Sequence, residues 1–111
     1  MSGPAPTPGS LRISSELIDG TVSVSVEGEL DLANAAELEA RLVAVDAEAP
    51  ARVVLDLAAL AFVDSTGLRV LLQADSRARE RGYELALRAV TPTVLRVLEM
   101  TGALDVLRIE S

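Results

Sequence analysis

The five residues Asp64-Ser65-Thr66-Gly67-Leu68 set a carboxylate beside two adjacent hydroxyls. An apolar run precedes them and a helical pattern follows. The hydroxyls therefore fall at the carboxyl end of a strand, where open α/β sheets tend to place functional residues. Two chemistries are open to them. One is local: Asp64 or Ser65 caps the helix, and Gly67 relieves crowding at the turn. The other is modification, because Ser65 and Thr66 sit in a turn that a protein kinase could reach. Thr66 reads better as a helix-start hydroxyl than as a second acceptor. Nucleophilic catalysis by Ser65 lacks its usual base, since the chain contains no His.

Other missing residue types narrow the function further. With no Cys there is no disulfide and no thiolate site. Lys is absent as well, which removes any G-x-x-x-x-G-K-[ST] phosphate loop. No Asp/His cluster has the pattern of a metal site, so neither a metal nor a cofactor is expected and the protein is not expected to be an enzyme. Asp56, inside an apolar run, reads as a structurally satisfied acid. Arg77, Arg79 and Arg81 alternate with Asp75 and Glu80 and read as a solvated helix end with i,i+4 pairs.

A net charge of −7, with every basic residue an Arg, repels phosphate backbones and anionic lipid. Neither nucleic acid nor a membrane is an expected partner, and no apolar run approaches the ~20 residues of a membrane span. Residues 1–10, MSGPAPTPGS, lack the basic start and apolar stretch of a signal peptide. They read as a disordered tail ahead of a single domain over 11–111, with a cytoplasmic location expected.

The elements that must position the hydroxyls follow from periodicity. Leu11, Ile13, Ser15 and Leu17 alternate as a first strand, and Val22, Val24 and Val26 as a second, with Asp19-Gly20 as the hairpin turn between them. Asn34 and Glu37 have capping-box spacing before an amphipathic helix over 35–48. Val53, Val54, Leu55 and Leu57 predict a central strand covered on both faces and parallel to a neighbour. A short apolar bridge, Leu60 to Val63, leads to a helix over about 66–80 ended by Gly82. Tyr83 to Ala89 alternates as a fourth strand. Thr91-Pro92 opens a third helix that Gly102 ends. Residues 103–107 suit a short helical turn, and 108–110 an edge strand. The resulting order, β-β-α-β-α-β-α, predicts an α/β fold with right-handed parallel crossovers after the hairpin. No apolar stripe argues for an obligate dimer, so a monomer is expected.

With these elements in place, the sequence resembles the STAS domain of anti-sigma factor antagonists. The resemblance rests on Val53-Val54-Leu55-Asp56-Leu57 followed by Asp64-Ser65-Thr66-Gly67-Leu68, on Gly28-Glu29-Leu30-Asp31, and on Met100-Thr101-Gly102-Ala103-Leu104. They occur in the family's order and together span about residues 11–110. The resemblance implies a STAS-like mixed central sheet, a β-hairpin followed by alternating helices and parallel strands. It also implies that Ser65 is phosphorylated by an anti-sigma factor that is itself a serine kinase. The unphosphorylated protein would bind that anti-sigma factor and release a sigma factor, and a phosphatase would restore the binding form. Glu29, Asp31, Asn34, Asp64, Thr66, Gly67 and Leu68 become candidate partner contacts. Asn34 departs from the small residues or Thr frequent there. The alternative within the family is a STAS module of a stress-signalling or lipid-transport complex.

Overall fold

The computed structural model describes residues 10–110. All but the last residue of the expected 1–10 tail lies outside the described residues. Strands β1 (Leu11–Ile18) and β2 (Thr21–Leu30) form the antiparallel hairpin. Its turn residues Asp19 and Gly20 have φ of 52° and 80°, the paired positive values of a type I′ turn. Helix α1 (Ala35–Ala47), β3 (Arg52–Asp56) and β4 (Leu60–Val63) follow, then α2 (Ser65–Arg81) and β5 (Glu84–Arg88). Helix α3 (Pro92–Thr101), a 3-10 turn (Ala103–Asp105) and β6 (Arg108–Glu110) complete the described chain. The sheet order is β1-β2-β3-β5-β6, and β2 through β6 run parallel. This is the mixed α/β architecture expected.

Two expectations about the sheet are corrected. The first concerns its faces. Strands β2, β3, β5 and β6 are added in one direction, each through a crossover containing a helix. Right-handed crossovers advancing in one direction place every helix on the same face. A single core results: Val22, Val24 and Val26 with Val53, Leu55, Leu85 and Leu87 meet Leu38 and Leu42 of α1, Leu68 and Leu71 of α2, and Val94 and Leu98 of α3. Each such Leu contributes about 1.5–3 kcal/mol through burial. The opposite face of β3 and β5 is not covered by helices. There Val54 and Ala86 are buried but stand outside that cluster, flanked by cross-strand ion pairs. Arg52 meets Glu84 at 3.0 Å, Arg88 meets Asp56 at 3.0 Å, and Arg108 meets Glu84 at 3.2 Å. Arg52 also pairs with Glu110. The continuous apolar reading of β3 thus has two causes, a helix layer on one side and long paired side chains on the other. The Ala58 N–H holds the Asp56 carboxyl below the usual carboxylate range, against the opposing effect of burial and with help from Arg88.

The second correction concerns residues 60–63. They form β4, a strand parallel to β2, with no helix between β3 and β4. The reason is backbone accounting. Strand β3 pairs with β2 only over residues 21–25, which leaves the far end of β2 needing partners. Strand β4 supplies them, with Glu29 opposite Phe62 and Leu30 opposite Val63. Gly28 already lies opposite Leu60, and a register shift between Gly28 and Glu29 interrupts the β2–β4 ladder. There the Gly28 N–H donates to the Ala59 carbonyl at 3.0 Å, and the Glu29 N–H to the Ser10 carbonyl at 3.0 Å.

The arginines of α2 separate rather than cluster. Arg79 pairs with Asp75 one turn back at 2.8 Å, as the i,i+4 reading expected. Arg81 reaches Asp46 of α1 at 3.2 Å. Arg77 is half-buried, and two of its guanidinium nitrogens have no hydrogen-bond partner. Buried Asp46 also accepts the Tyr83 hydroxyl at 2.8 Å. Burial, and then Asp46, push the Tyr83 phenol up from 10.0 to about 12. An unfolded Tyr loses its proton near pH 10. The associated stability is therefore complete below pH 10 and is lost as pH rises toward 12. Tyr83 is the sole tyrosine. Its tyrosinate absorbance is expected to rise with a midpoint near 12 in the native protein, and nearer the unfolded value in Asp46→Ala. A native midpoint equal to the unfolded one would refute the contact.

Candidate functional site

The site is the end of the sheet where β2 and β4 finish side by side and α2 begins. Asp64 occupies the N-cap of α2 in an extended conformation, with φ −100° and ψ −176°. Its Oδ1 accepts the Gly67 N–H at 2.9 Å, and its Oδ2 accepts the Leu32 N–H at 3.1 Å. Its own N–H donates to the Leu30 carbonyl at 3.1 Å. One side chain therefore caps a helix and ties down the turn after β2. Asp64 rather than Ser65 is the cap, which leaves the Ser65 hydroxyl outside the capping bond.

The turn after β2 is braced by Asn34. Its Nδ2 donates to the Glu29 carbonyl at 2.8 Å, and its Oδ1 accepts the Asp31 N–H at 2.9 Å. Asp31 Oδ1 in turn accepts the Ala33 N–H at 3.0 Å. The expected capping box with Glu37 does not form: Asn34 is the N-cap of α1 but makes no side-chain capping bond. Its amide points back into the turn, where the Glu29 carbonyl and Asp31 N–H need partners once the chain leaves the sheet.

Burial sorts the predicted site residues into two sets. Ser65 is exposed, while Glu29, Asp31, Asp64 and Thr66 are half-buried. Asn34, Gly67 and Leu68 are buried, so they shape the surface from beneath. Gly67 is needed for close approach: a Cβ there would lie 2.5 Å from Leu30 Cγ and 3.0 Å from Val63 Cγ2. Leu32, which periodicity did not single out, stands 76% exposed in the turn held by Asp64. The available signal was a large apolar residue between Asp31 and Asn34, outside the period of either neighbouring element. Phe62, opposite Glu29 on β4, is also exposed. The surface around the Ser65 hydroxyl is thus acidic with apolar points. Among the described residues no His, Cys, Asp and Glu cluster could hold a metal ion, and no helix is long and apolar enough to cross a membrane.

Replacing Asp64 by Asn keeps one acceptor oxygen but presents an NH2 group to the other donor. The Leu32 or the Gly67 amide is therefore expected to lose protection from hydrogen exchange. Stability should fall by about 1 kcal/mol. If both amides stay as protected as in the wild type, the double tie does not exist in solution.

Residues 12–111 match the family model of the STAS domain, and the chain belongs to that family. BtrV of Bordetella bronchiseptica, a protein named as an anti-sigma factor antagonist, is 36% identical over 96 residues, covering 86% of this chain and 83% of its own. The crystal structure of an anti-sigma factor antagonist from Mycobacterium paratuberculosis matches with a TM-score of 0.86 at 31% identity, over 94% of this chain and 88% of that one. The Bacillus cell fate determinant SpoIIAA, solved in its phosphorylated form, shares the fold with a TM-score of 0.69 at 19% identity, over 92% of each chain.

Proposed function

We propose that this protein is an anti-sigma factor antagonist working by partner switching. In its unphosphorylated form it binds an anti-sigma factor that is also a serine kinase, so that a sigma factor is released. Phosphate on Ser65 ends the binding, and a phosphatase restores it. The observation that carries this reading is the exposed Ser65 hydroxyl in the first turn of α2, directly after an Asp64 whose two oxygens are both engaged. The names of the relatives support the same reading. Glu29, Asp31, Asp64, Thr66 and Leu32 would meet the partner, while Asn34, Gly67 and Leu68 hold them in place. The chain is then a cytoplasmic binding module and a kinase substrate rather than an enzyme.

The test is capture of partners from a cell extract by the unmodified chain and by Ser65→Ala, with mass spectrometry of both bait and prey. Both baits are expected to retain an anti-sigma factor, and ATP is expected to release the wild type alone, with phosphate at Ser65. Phosphate elsewhere, or equal release of Ser65→Ala, would refute the assignment.

A further inference from the structure

Strand β1 is one edge of the sheet, and among the described residues no strand lies beyond it. The Ser10 carbonyl accepts from Glu29 on β2, so by alternation Arg12, Ser14, Glu16 and Ile18 also turn their backbone groups toward β2. The backbone N–H and C=O groups of Leu11, Ile13, Ser15 and Leu17 then point outward, and no strand among the described residues pairs with them. Such an edge is a template for another strand unless something blunts it. The usual Pro and Lys are absent from this one. Leu17 and Ile18 remain 64% and 57% exposed at its end.

The sequence of the edge names its occupant. Leu11-Arg12-Ile13-Ser14-Ser15-Glu16-Leu17 complements itself when laid antiparallel about Ser14. In that register Arg12 of each copy faces Glu16 of the other, and Leu11 faces Leu17. The outward-pointing residues Leu11, Ile13, Ser15 and Leu17 become the hydrogen-bonded pairs. Arg12, Ser14 and Glu16 form the non-hydrogen-bonded pairs, where opposed side chains approach most closely. Both faces agree as well. The Leu11–Leu17 contact falls on the side of the sheet that carries the helices, and the Arg12–Glu16 contacts on the ion-paired side. A two-fold interface of this kind presents the same patch from both subunits.

We propose that a second copy of this chain pairs with β1 about Ser14, joining two sheets into one in a reversible dimer. The dimer is independent of the proposed function.

Light scattering of the full chain across micromolar to millimolar concentrations is the test. The wild type is expected to pass from monomer to dimer. Arg12→Glu or Glu16→Arg alone turns both symmetric attractions into repulsions and should raise the dissociation constant about tenfold or more. Mixing these two variants should restore dimerisation, because only the mixed pair sets Glu against Arg at both positions. Ser15→Pro removes an outward N–H that β2 does not use and should abolish pairing while sparing the circular dichroism spectrum. A wild type that stays monomeric at every concentration overturns the proposal. So does failure of the mixture to recover the dimer, or a folded Ser15→Pro that still dimerises. Should Ser15→Pro not fold, the two charge variants and their mixture decide.

Discussion

Phosphorylation of Ser65 is expected to weaken binding of the anti-sigma factor by two to three orders of magnitude while leaving the fold intact. The phosphate adds about −1.5 to −2 charges at pH 7. It arrives at the first turn of α2, where backbone N–H groups lack intrahelical acceptors and the helix dipole favours an anion. The folded state can therefore hold it without rearrangement. Asp64 cannot turn aside, because Gly67 and Leu32 engage its two oxygens. The new charge also joins Glu29 and Asp31 on a chain already at −7. Burying it against a partner requires desolvation, and a loss of ~3–4 kcal/mol corresponds to the stated fall in affinity. Ser65→Asp carries a single charge and should show part of the loss with its melting temperature preserved. Calorimetric titration of wild type, phosphorylated protein and Ser65→Asp against the partner measures the series. Equal affinity for all three would place Ser65 outside the interface. Unfolding of Ser65→Asp would show that Ser65 serves the fold.

Gly28→Ala should be the most damaging of the Gly→Ala substitutions among the described residues, costing about 3 kcal/mol or more. Gly28 has φ of 107°, and a Cβ there would come within 2.2 Å of the Ser10 carbonyl oxygen. That oxygen accepts the Glu29 N–H, so it cannot yield without unpairing β1 from β2 beside the site. Gly82→Ala is the control. Its φ of 83° is similarly unfavourable, but no atom lies within 4 Å of the added carbon, so about 1 kcal/mol is expected. Gly67→Ala falls between, because the atoms it meets belong to the movable side chains of Leu30 and Val63. Urea denaturation of the three variants ranks them. Equal losses for Gly28→Ala and Gly82→Ala would mean that backbone conformation alone, and not the close approach of β1, sets the cost.

The candidate site was legible because its signals are local. Asp64 caps through the N–H three residues ahead, and the apolar run before it and the periodic Leu residues after it bracket the turn. The consequences of that turn were less legible. Nothing in the spacing says that Asp64 also binds Leu32, a contact across 32 positions. Nor does it say that Gly67 is buried while Leu32 is exposed.

By itself the sequence determined the hairpin at Asp19-Gly20, the Thr91-Pro92 helix start, the stops at Gly82 and Gly102, and the place of Ser65 in a helix's first turn. Each depends on φ preferences and hydrogen bonds that close within a few residues, so the information lies in adjacent letters. Only the tertiary structure decided that 60–63 is a strand, that all helices share one face, and that Asn34 braces a turn instead of capping with Glu37. Those outcomes follow from how much of β2 its neighbours leave unpaired and from the direction in which successive crossovers advance. Both are set by partners distant in sequence, and hydrophobic periodicity does not encode which strand lies beside which.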